Sequence, residues 1–121
     1  MKTIALILMA ALAAAPMTLA AKHHRQASAE VMRVDENHGN IDTNASAETL
    51  AELEISKGAS FPVSFGDTEV MVYFGDTYSD VPRGDWVAFI TSYGNLRIAR
   101  NYDDAAKALG VKVGDVITLY N

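Results

Sequence analysis

Three residues of this chain have types that could serve acid–base chemistry or metal binding: the adjacent carboxylates Asp103 and Asp104, and His38. The carboxylates fall where we predict the first turn of a helix, a position at which the helix dipole favours negative charge. His38 lies in a predicted turn and has no ligand at metal-binding spacing. The sequence also lacks a Gly-rich phosphate loop, an HExxH pair and a serine in a nucleophile elbow. These observations predict no catalytic centre.

A metal site is conceivable at His23 and His24. Cleavage of the chain after Ala20 or after Ala21 would make a histidine the third residue of the product. A free amine, two deprotonated amides and a third-position imidazole form a square-planar set that suits Cu(II) or Ni(II). The alternative is a polar tail with incidental histidines, because such tracts are compositional signals only. The sequence leaves both readings open.

The first twenty residues have the pattern of a secretory signal peptide. A positive start at Lys2 precedes an apolar run over 4–15, and small residues follow before residue 21. A membrane anchor is the alternative, but spanning a bilayer takes about 20 apolar residues. We therefore expect cleavage after residue 20 or 21 and a periplasmic or secreted product. Without cysteine, the chain has neither a lipid-anchored cysteine nor a disulfide.

The charge balance limits the partners of the mature protein. The chain has 10 Lys and Arg against 15 Asp and Glu, a net charge of −5. Binding to nucleic acid or to an anionic membrane depends on basic residues that neutralise phosphates. We therefore expect no nucleic-acid partner, and no membrane partner after cleavage. A single bound nucleoside remains compatible with this composition, because it needs one pocket rather than a charged face.

The rest of the chain predicts a flexible tail over 21–30 and one domain over 31–121. Apolar alternation and turn residues indicate short strands. The predicted strands are 31–34, 61–65, 69–74, 86–91, 96–100 and 116–119. In the strand over 96–100 we expect Arg97 and Arg100 on one face, with Leu96 and Ile98 on the other.

Two short helices complete the prediction. Ser46 is the expected N-cap of the first helix, and Asn101 caps a second one that runs from Tyr102 to Leu109. Gly110 ends the second helix in the left-handed conformation. The first helix is expected to bury three residues: Leu50, Leu53 and Ile55. Many short strands with two small helices predict a mostly β, compact small β-barrel.

Several short motifs occur in order along the mature chain. They are Gly39-Asn40 with Thr43-Asn44, Thr77-Tyr78-Ser79-Asp80-Val81, Ser92-Tyr93-Gly94-Asn95-Leu96, Ile98-Ala99-Arg100-Asn101, and Val113-Gly114-Asp115. Together they resemble the C-terminal β-barrel domain of the S-adenosylmethionine hydroxide adenosyltransferases, relatives of the S-adenosylmethionine-dependent fluorinase and chlorinase. The resemblance covers essentially all of the mature chain. It implies a barrel that supplies part of an adenosine pocket.

The resemblance assigns adenine contacts to three residues. Asn40 matches an asparagine that helps to hold the adenine, and Tyr78 matches an aromatic residue that packs against it. His38 stands where the family usually has phenylalanine, so its ring would offer a poorer stacking surface.

It also assigns contacts further along the chain. Ser92 matches a serine at the amino-acid end of the ligand, whereas Tyr93 replaces an arginine that is frequent in the halogenases. Arg100 and Asn101 match a segment that borders the adenine edge. These roles are implied by the resemblance and not by spacing.

The family enzymes have a larger N-terminal domain with the methionine-binding groups and the catalytic aspartate region. In its place we expect a signal peptide and tail, hence an exported, free-standing barrel that is not an enzyme by itself. Its expected ligand is adenosine or S-adenosylmethionine, and no cofactor is required. Two alternatives remain: a structural or protein-interaction barrel that lost ligand binding, and a subunit of a split S-adenosylmethionine-hydrolysing enzyme. The split enzyme would need a separate partner chain that carries the missing half. As partners we thus consider such a chain or, for the barrel alone, a homo-oligomer.

Overall fold

A computed structural model describes residues 25–121, which form a closed barrel of seven strands with two short helices. The predicted fold class is confirmed. The strands are β1 (Gln26–Val34), β2 (Ile41–Ser46), β3 (Ser60–Phe65), β4 (Thr68–Phe74), β5 (Trp86–Ile90), β6 (Asn95–Arg100) and β7 (Val116–Tyr120). The helices are α1 (Ala47–Glu52) and α2 (Ala105–Leu109), and a 3-10 turn covers Tyr78–Asp80. Within the described residues, neither helix has the length and apolar character needed to cross a bilayer.

The strands follow the order β1-β2-β6-β5-β4-β3-β7 around the barrel, and β7 pairs back onto β1. Every neighbouring pair is antiparallel except β4 and β5, which run parallel and share two residue pairs. Arg25 and Asn121 exchange two backbone hydrogen bonds of 2.9 Å beside the β1–β7 ladder. The first and last described residues are thus direct neighbours.

The barrel interior is filled by side chains that alternate along the strands, as the period of a β-strand requires. The largest fully buried side chains are Phe61, Ile41, Leu50, Leu96, Ile98, Ile117, Leu119, Val31, Val63, Val72, Val87 and Thr43. All but Val87 and Thr43 belong to one apolar cluster inside the barrel, here called the inner core.

A second, smaller apolar cluster lies on the outside of β5 and β6. Its buried members are Val81, Val87, Phe89 and Ala99, and the rings of Tyr73 and Tyr78 pack against them. Val87 and Phe89 alternate with the inner-core residue Ala88 along β5. The loop over 75–85 contributes Val81 and Tyr78, so it covers this face of the sheet. We call this cluster the outer core.

The helix α1 has its predicted N-cap but is shorter than predicted, because it ends at Glu52, before Leu53 and Ile55. Ser46 is its N-cap, and the Ser46 N–H donates to Thr49 Oγ1 at 3.1 Å. The three residues expected to be buried are Leu50, Leu53 and Ile55, and all of them lie in the inner core. Gly110 ends α2 in the left-handed conformation, also as predicted.

The prediction of a tail is wrong over residues 26–30, because β1 begins at Gln26 and pairs with β7 from Gln26 to Glu30. The inward residues of this segment are Ala27 and Ala29. Because their side chains are small, the segment shows only a weak hydrophobic alternation. Strand β2 was missed altogether. It buries Thr43, whose Oγ1 donates to the carbonyl of Leu96 at 2.9 Å.

The prediction of Asn101 as a helix cap is also wrong. The cap of α2 is Asp104, whose carboxylate accepts from the Lys107 N–H, and α2 starts at Ala105. Asn101 is buried and donates its side-chain amide to the carbonyl of Val81 at 2.8 Å. The Asn101 side chain therefore binds a carbonyl that is distant in sequence instead of capping the nearby helix. Asp103 precedes the helix and pairs with Arg100.

The two arginines of β6 do not share a face. Arg97 lies with Ala99 on the outer face, whereas Arg100 has the same parity as Leu96 and Ile98. Since Arg100 is the last residue of β6, it reaches past the end of the inner core and lies over Trp86. Two side chains that are three residues apart on a regular strand lie on opposite faces of the sheet.

Candidate functional site

A row of side chains crosses the outer face of three adjacent strands. Asp42 on β2 is directly opposite Arg97 on β6, and Arg97 is directly opposite Phe89 on β5. The Asp42 carboxylate accepts from Arg97 Nε at 2.7 Å and from Nη2 at 3.1 Å. Such a two-point pair fixes the plane of the guanidinium group. The same group lies 6.0 Å from the centre of the Phe89 ring.

Tyr78 lies on this row and connects it to the β1–β2 turn. Its ring meets Phe89 edge to face, with 5.0 Å between the ring centres. Its hydroxyl accepts from Arg97 Nη1 at 3.3 Å and from Asn40 Nδ2 at 2.8 Å. Asn40 itself is buried. Two of the predicted ligand contacts, Asn40 and Tyr78, are therefore hydrogen-bonded to each other, although 38 positions separate them.

The charges in this network compensate one another. The hydrogen bonds that Arg97 donates to Asp42 raise the pKa of Arg97, and the bond that it donates to Tyr78 adds to this against the opposing effect of burial. Arg33 lies on the other side of Asp42, with 3.4 Å between Arg33 Nε and a carboxylate oxygen. Asp42 is thus held between two cations, and its negative charge is neutralised within the protein.

The turn before Asn40 is built around Asp35. Its carboxylate accepts from the N–H groups of Asn37 and His38, and these bonds, with one to the His38 ring, lower the pKa of Asp35. The His38 side chain is exposed and lies 3.1 Å from Asp35. Gly39 follows with a φ of 72°, and a side chain there would overlap Asp104. The turn therefore packs directly against the start of α2.

Arg100 and Asn101 lie at the far end of β6 and hold loops in place. Arg100 Nε donates to the carbonyl of Gly84 at 2.8 Å, and its guanidinium group lies 5.5 Å from the Trp86 ring centre. Asn101 binds Val81, three residues after Tyr78. These two residues therefore fasten the loop that carries Tyr78, and their roles as ligand contacts stay predictions.

Ser92 lies in the β5–β6 turn with Tyr93, and both are exposed. The Tyr93 N–H donates to Thr91 Oγ1 at 3.2 Å, which shapes this turn. No hydrogen bond described for residues 25–121 joins Ser92 to the Asn40–Tyr78 network. Its assigned contact with the amino-acid end of a ligand also stays a prediction.

Two surface clefts lie elsewhere on the barrel. One, of about 430 Å³, is lined by Arg25, Gln26, Ala27, Thr49, Glu52 and Leu53. The other, of about 470 Å³, lies between β4 and the loop before β5. Among residues 25–121 no group of three or more His, Asp or Glu side chains could hold a metal ion. His23 and His24 are outside the described residues.

Sequence reasoning missed Asp42, Arg97 and Phe89 as members of the site. Arg97 was noted only for its place in an alternating strand. The pairing of Asp42 with Arg97 depends on the register between strands 55 positions apart, and β2 had no strand signal. Predicting that these three residues lie together would have required the order of the strands in the sheet.

Comparison with known proteins identifies the barrel. A family model described as the SAM hydroxide adenosyltransferase C-terminal domain matches residues 29–118. The chain is 30% identical to an uncharacterized conserved protein from Thermotoga maritima, with a TM-score of 0.75 over 79% of this chain and 36% of that one. It is 32% identical to a conserved hypothetical protein from Thermus thermophilus, with a TM-score of 0.53 over 76% of this chain and 34% of that one.

The chain thus spans about a third of the length of these two relatives. No curated protein matches it. The family model covers most of the chain and all seven strands at least in part. This chain therefore belongs to the SAM hydroxide adenosyltransferase C-terminal domain family.

Proposed function

We propose that the barrel binds an adenosine-like ligand, free or as part of S-adenosylmethionine, at the Asn40–Tyr78–Arg97 network. The observation that carries this proposal is the hydrogen bond between Asn40 and Tyr78. Both residues match the family's adenine contacts, and they come from distant parts of the chain. A purine site needs an aromatic surface with a few fixed polar groups, and this network offers both.

The hydrogen bonds of Tyr78 indicate how it would meet such a ligand. Its hydroxyl oxygen already accepts from Asn40 and from Arg97. A phenol both donates and accepts, so the remaining O–H is available as a donor. We therefore propose that Tyr78 donates to an acceptor atom of the ligand, such as a ring nitrogen. The arrangement favours a neutral base, because the charges of Asp42 and Arg97 are already paired.

Binding rather than catalysis is the proposed role of this chain. The relatives are about three times longer, so the barrel corresponds to one part of each. If a second chain supplies the remainder, this protein is the binding subunit of a two-chain enzyme. That second candidate is favoured only by the length difference. Mixing the barrel with candidate partners and measuring S-adenosylmethionine hydrolysis tests it.

Isothermal titration with adenosine and with S-adenosylmethionine tests the main proposal. We expect saturable binding to the wild-type protein and a loss of about ten- to a hundredfold for Tyr78→Phe, the cost of one unpaired ligand acceptor. This variant keeps the ring that packs against Phe89. The matched control is Tyr93→Phe, which removes a hydroxyl from an exposed ring. No heat of binding for the wild-type protein at millimolar ligand would contradict the proposal.

We further propose that the mature protein is exported and begins at residue 21 or 22. N-terminal sequencing of the periplasmic fraction tests this, and an intact Met1 there would contradict it. The same product allows the copper prediction to be tested. We expect a visible d–d band on addition of Cu(II), and its loss when His23 and His24 are both replaced by alanine.

A further inference from the structure

The ladder between β4 and β5 is short, and it is the parallel one of the barrel. These strands share only the pairs Tyr73–Val87 and Phe74–Ala88. On its other side β4 pairs with β3 over six residues, from Thr68 to Tyr73. The first part of β4 therefore extends beyond the start of β5 and has a strand neighbour on one side only.

The backbone of Met71 faces this open side. Phe74 donates to the carbonyl of Ala59 and accepts from Gly58, so its polar groups point towards β3. Gly75 donates to Ala88 and points towards β5. Because backbone direction alternates along a strand, Met71 shares the direction of Tyr73 and Gly75. Its N–H and C=O groups lie past the last pair with β5, which leaves them available to another strand.

A cleft of about 470 Å³ lies beside this edge. Met71, Tyr73, Pro82 and Trp86 give it apolar walls, and the Met71 side chain is exposed. Such a volume is within the range of ligand sites, roughly 300–1,000 Å³. An open strand edge beside a cleft that can take alternate side chains is the arrangement by which domains add a peptide strand.

Two carboxylates at the cleft, Asp80 and Asp85, define the charge of the occupant. One oxygen of Asp80 accepts from the N–H groups of Asp76 and Thr77, which keeps this carboxyl ionised by lowering its pKa. The side chain of Asp85 is exposed at the surface. Arg100 already lies over the Trp86 ring, so an incoming cation would be attracted to the carboxylates rather than to that ring.

We propose that the cleft binds an extended peptide with alternating basic and apolar side chains, as an added strand on β4. The peptide backbone pairs with Met71, an apolar side chain lies against Trp86 and Tyr73, and a Lys or Arg side chain faces Asp80 and Asp85. This site is separate from the Asn40–Tyr78 network. It does not depend on the nucleoside proposal.

The single tryptophan of the protein, Trp86, lines the cleft and can report binding. The probe is the blocked hexapeptide acetyl-Lys-Val-Lys-Val-Lys-Val-amide. We expect a saturable change in Trp86 fluorescence, together with a shift and slower exchange of the Met71 amide in NMR spectra. Two control peptides separate the contributions: the same sequence with alternate N-methylated amides, and the version with Glu in place of Lys. Both should bind at least tenfold more weakly.

Matched protein variants test the charge assignment. Asp85→Asn should weaken binding about two- to fivefold, as expected for an exposed charge pair. Glu36→Gln removes one charge from the exposed β1–β2 turn and should leave binding unchanged. If the N-methylated peptide bound as tightly as the unmodified one, the peptide would not be an added strand. If Glu36→Gln weakened binding as much as Asp85→Asn does, the cleft would not be the site. No binding by the wild-type protein at millimolar peptide would overturn the proposal as a whole.

Discussion

The inner and outer cores of the barrel are built differently. The inner core lies within the seven strands and also includes residues of both helices, and its residues are all aliphatic or aromatic. The outer core has strands β5 and β6 beneath it and the loop over 75–85 above it. Hydrogen bonds fasten that loop at several points: Val81 and Gly84 accept from the side chains of Asn101 and Arg100, Asp80 accepts from the backbone of residues 76 and 77, and Gly75 donates to Ala88.

Because of this difference, the residues that determine the fold are not the residues that could bind a ligand. Inside the barrel a polar group must satisfy its hydrogen bonds with the backbone, as Thr43 does with Leu96. On the outer face the hydrogen bonds join side chains instead: Arg97 donates to Asp42 and to Tyr78, and all three side chains remain partly exposed. The inner core therefore specifies the barrel, and the outer face can exchange polar residues without changing the strand order.

The largest expected effect is the loss of an inner-core side chain. Ile98→Ala should lower the free energy of unfolding by about 2–5 kcal/mol, because it removes buried methylene groups and leaves a cavity. Urea unfolding measures this as a lower midpoint with an unchanged slope. The control is Val113→Ala, whose side chain is 59% exposed. A similar loss for both variants would remove the distinction between core and surface.

The next effect concerns Gly39, where the β1–β2 turn packs against the start of α2. Gly39→Ala should cost about 1–3 kcal/mol, since it adds a strained left-handed residue and an overlap with Asp104. Gly66→Ala has a similar φ of 58° with open space around the added carbon. It should cost less, and thermal unfolding of both variants gives the comparison. An equal loss would show that the contact with α2 adds nothing.

The ion pair of the outer face gives a smaller effect. Arg97→Met should cost about 1–2 kcal/mol, because it leaves the largely buried Asp42 carboxylate without its two-point partner. Lys112→Met removes an exposed pair with Asp115 and should cost clearly less, because solvent screens that pair. A double-mutant cycle with Asp42→Asn isolates the interaction. A coupling near zero would contradict the proposed role of the pair.

The smallest effect is that of pH on the loop over the outer core. The N–H groups of Asp76 and Thr77 lower the pKa of Asp80 below its usual value of 3.8. A carboxyl with a depressed folded-state pKa contributes stability above the unfolded pKa and loses it as the pH falls through the folded one. The melting temperature should thus fall less between pH 5 and pH 2 in Asp80→Asn than in the wild-type protein. Equal falls in the two proteins would show that Asp80 does not fasten the loop.

Sequence patterns predicted the elements whose signal is local. The alternation of Phe61, Val63 and Phe65 and the apolar run from Trp86 indicated strands that the structure contains. The same reasoning failed for β2 and for the start of β1. β2 has a single large inward residue, Ile41, followed by Thr43 and Ala45, and the start of β1 has only Ala27 and Ala29. Partner strands, rather than a run of large hydrophobic residues, decide the burial of these positions.

The site was predictable only in part, for a similar reason. Asn40 and Tyr78 were found through motifs, and the structure brings them together. Asp42 could not be found, because its partner becomes visible only once β2 and β6 are in register. Asn101 was assigned by a capping rule that considers neighbours in sequence, whereas its actual partner, Val81, is 20 positions away.

The pairing of Arg25 with Asn121 brings the first and last described residues of the barrel together. Two residues that exchange both hydrogen bonds have Cα atoms about 5.5 Å apart, so a linker of a few residues could join them into a ring. The backbone could then be opened at the exposed turn around Tyr93 with every ladder kept. A unit with this property can be inserted into a loop of a host protein and fold there as it does alone, which makes it a natural candidate for circular permutation.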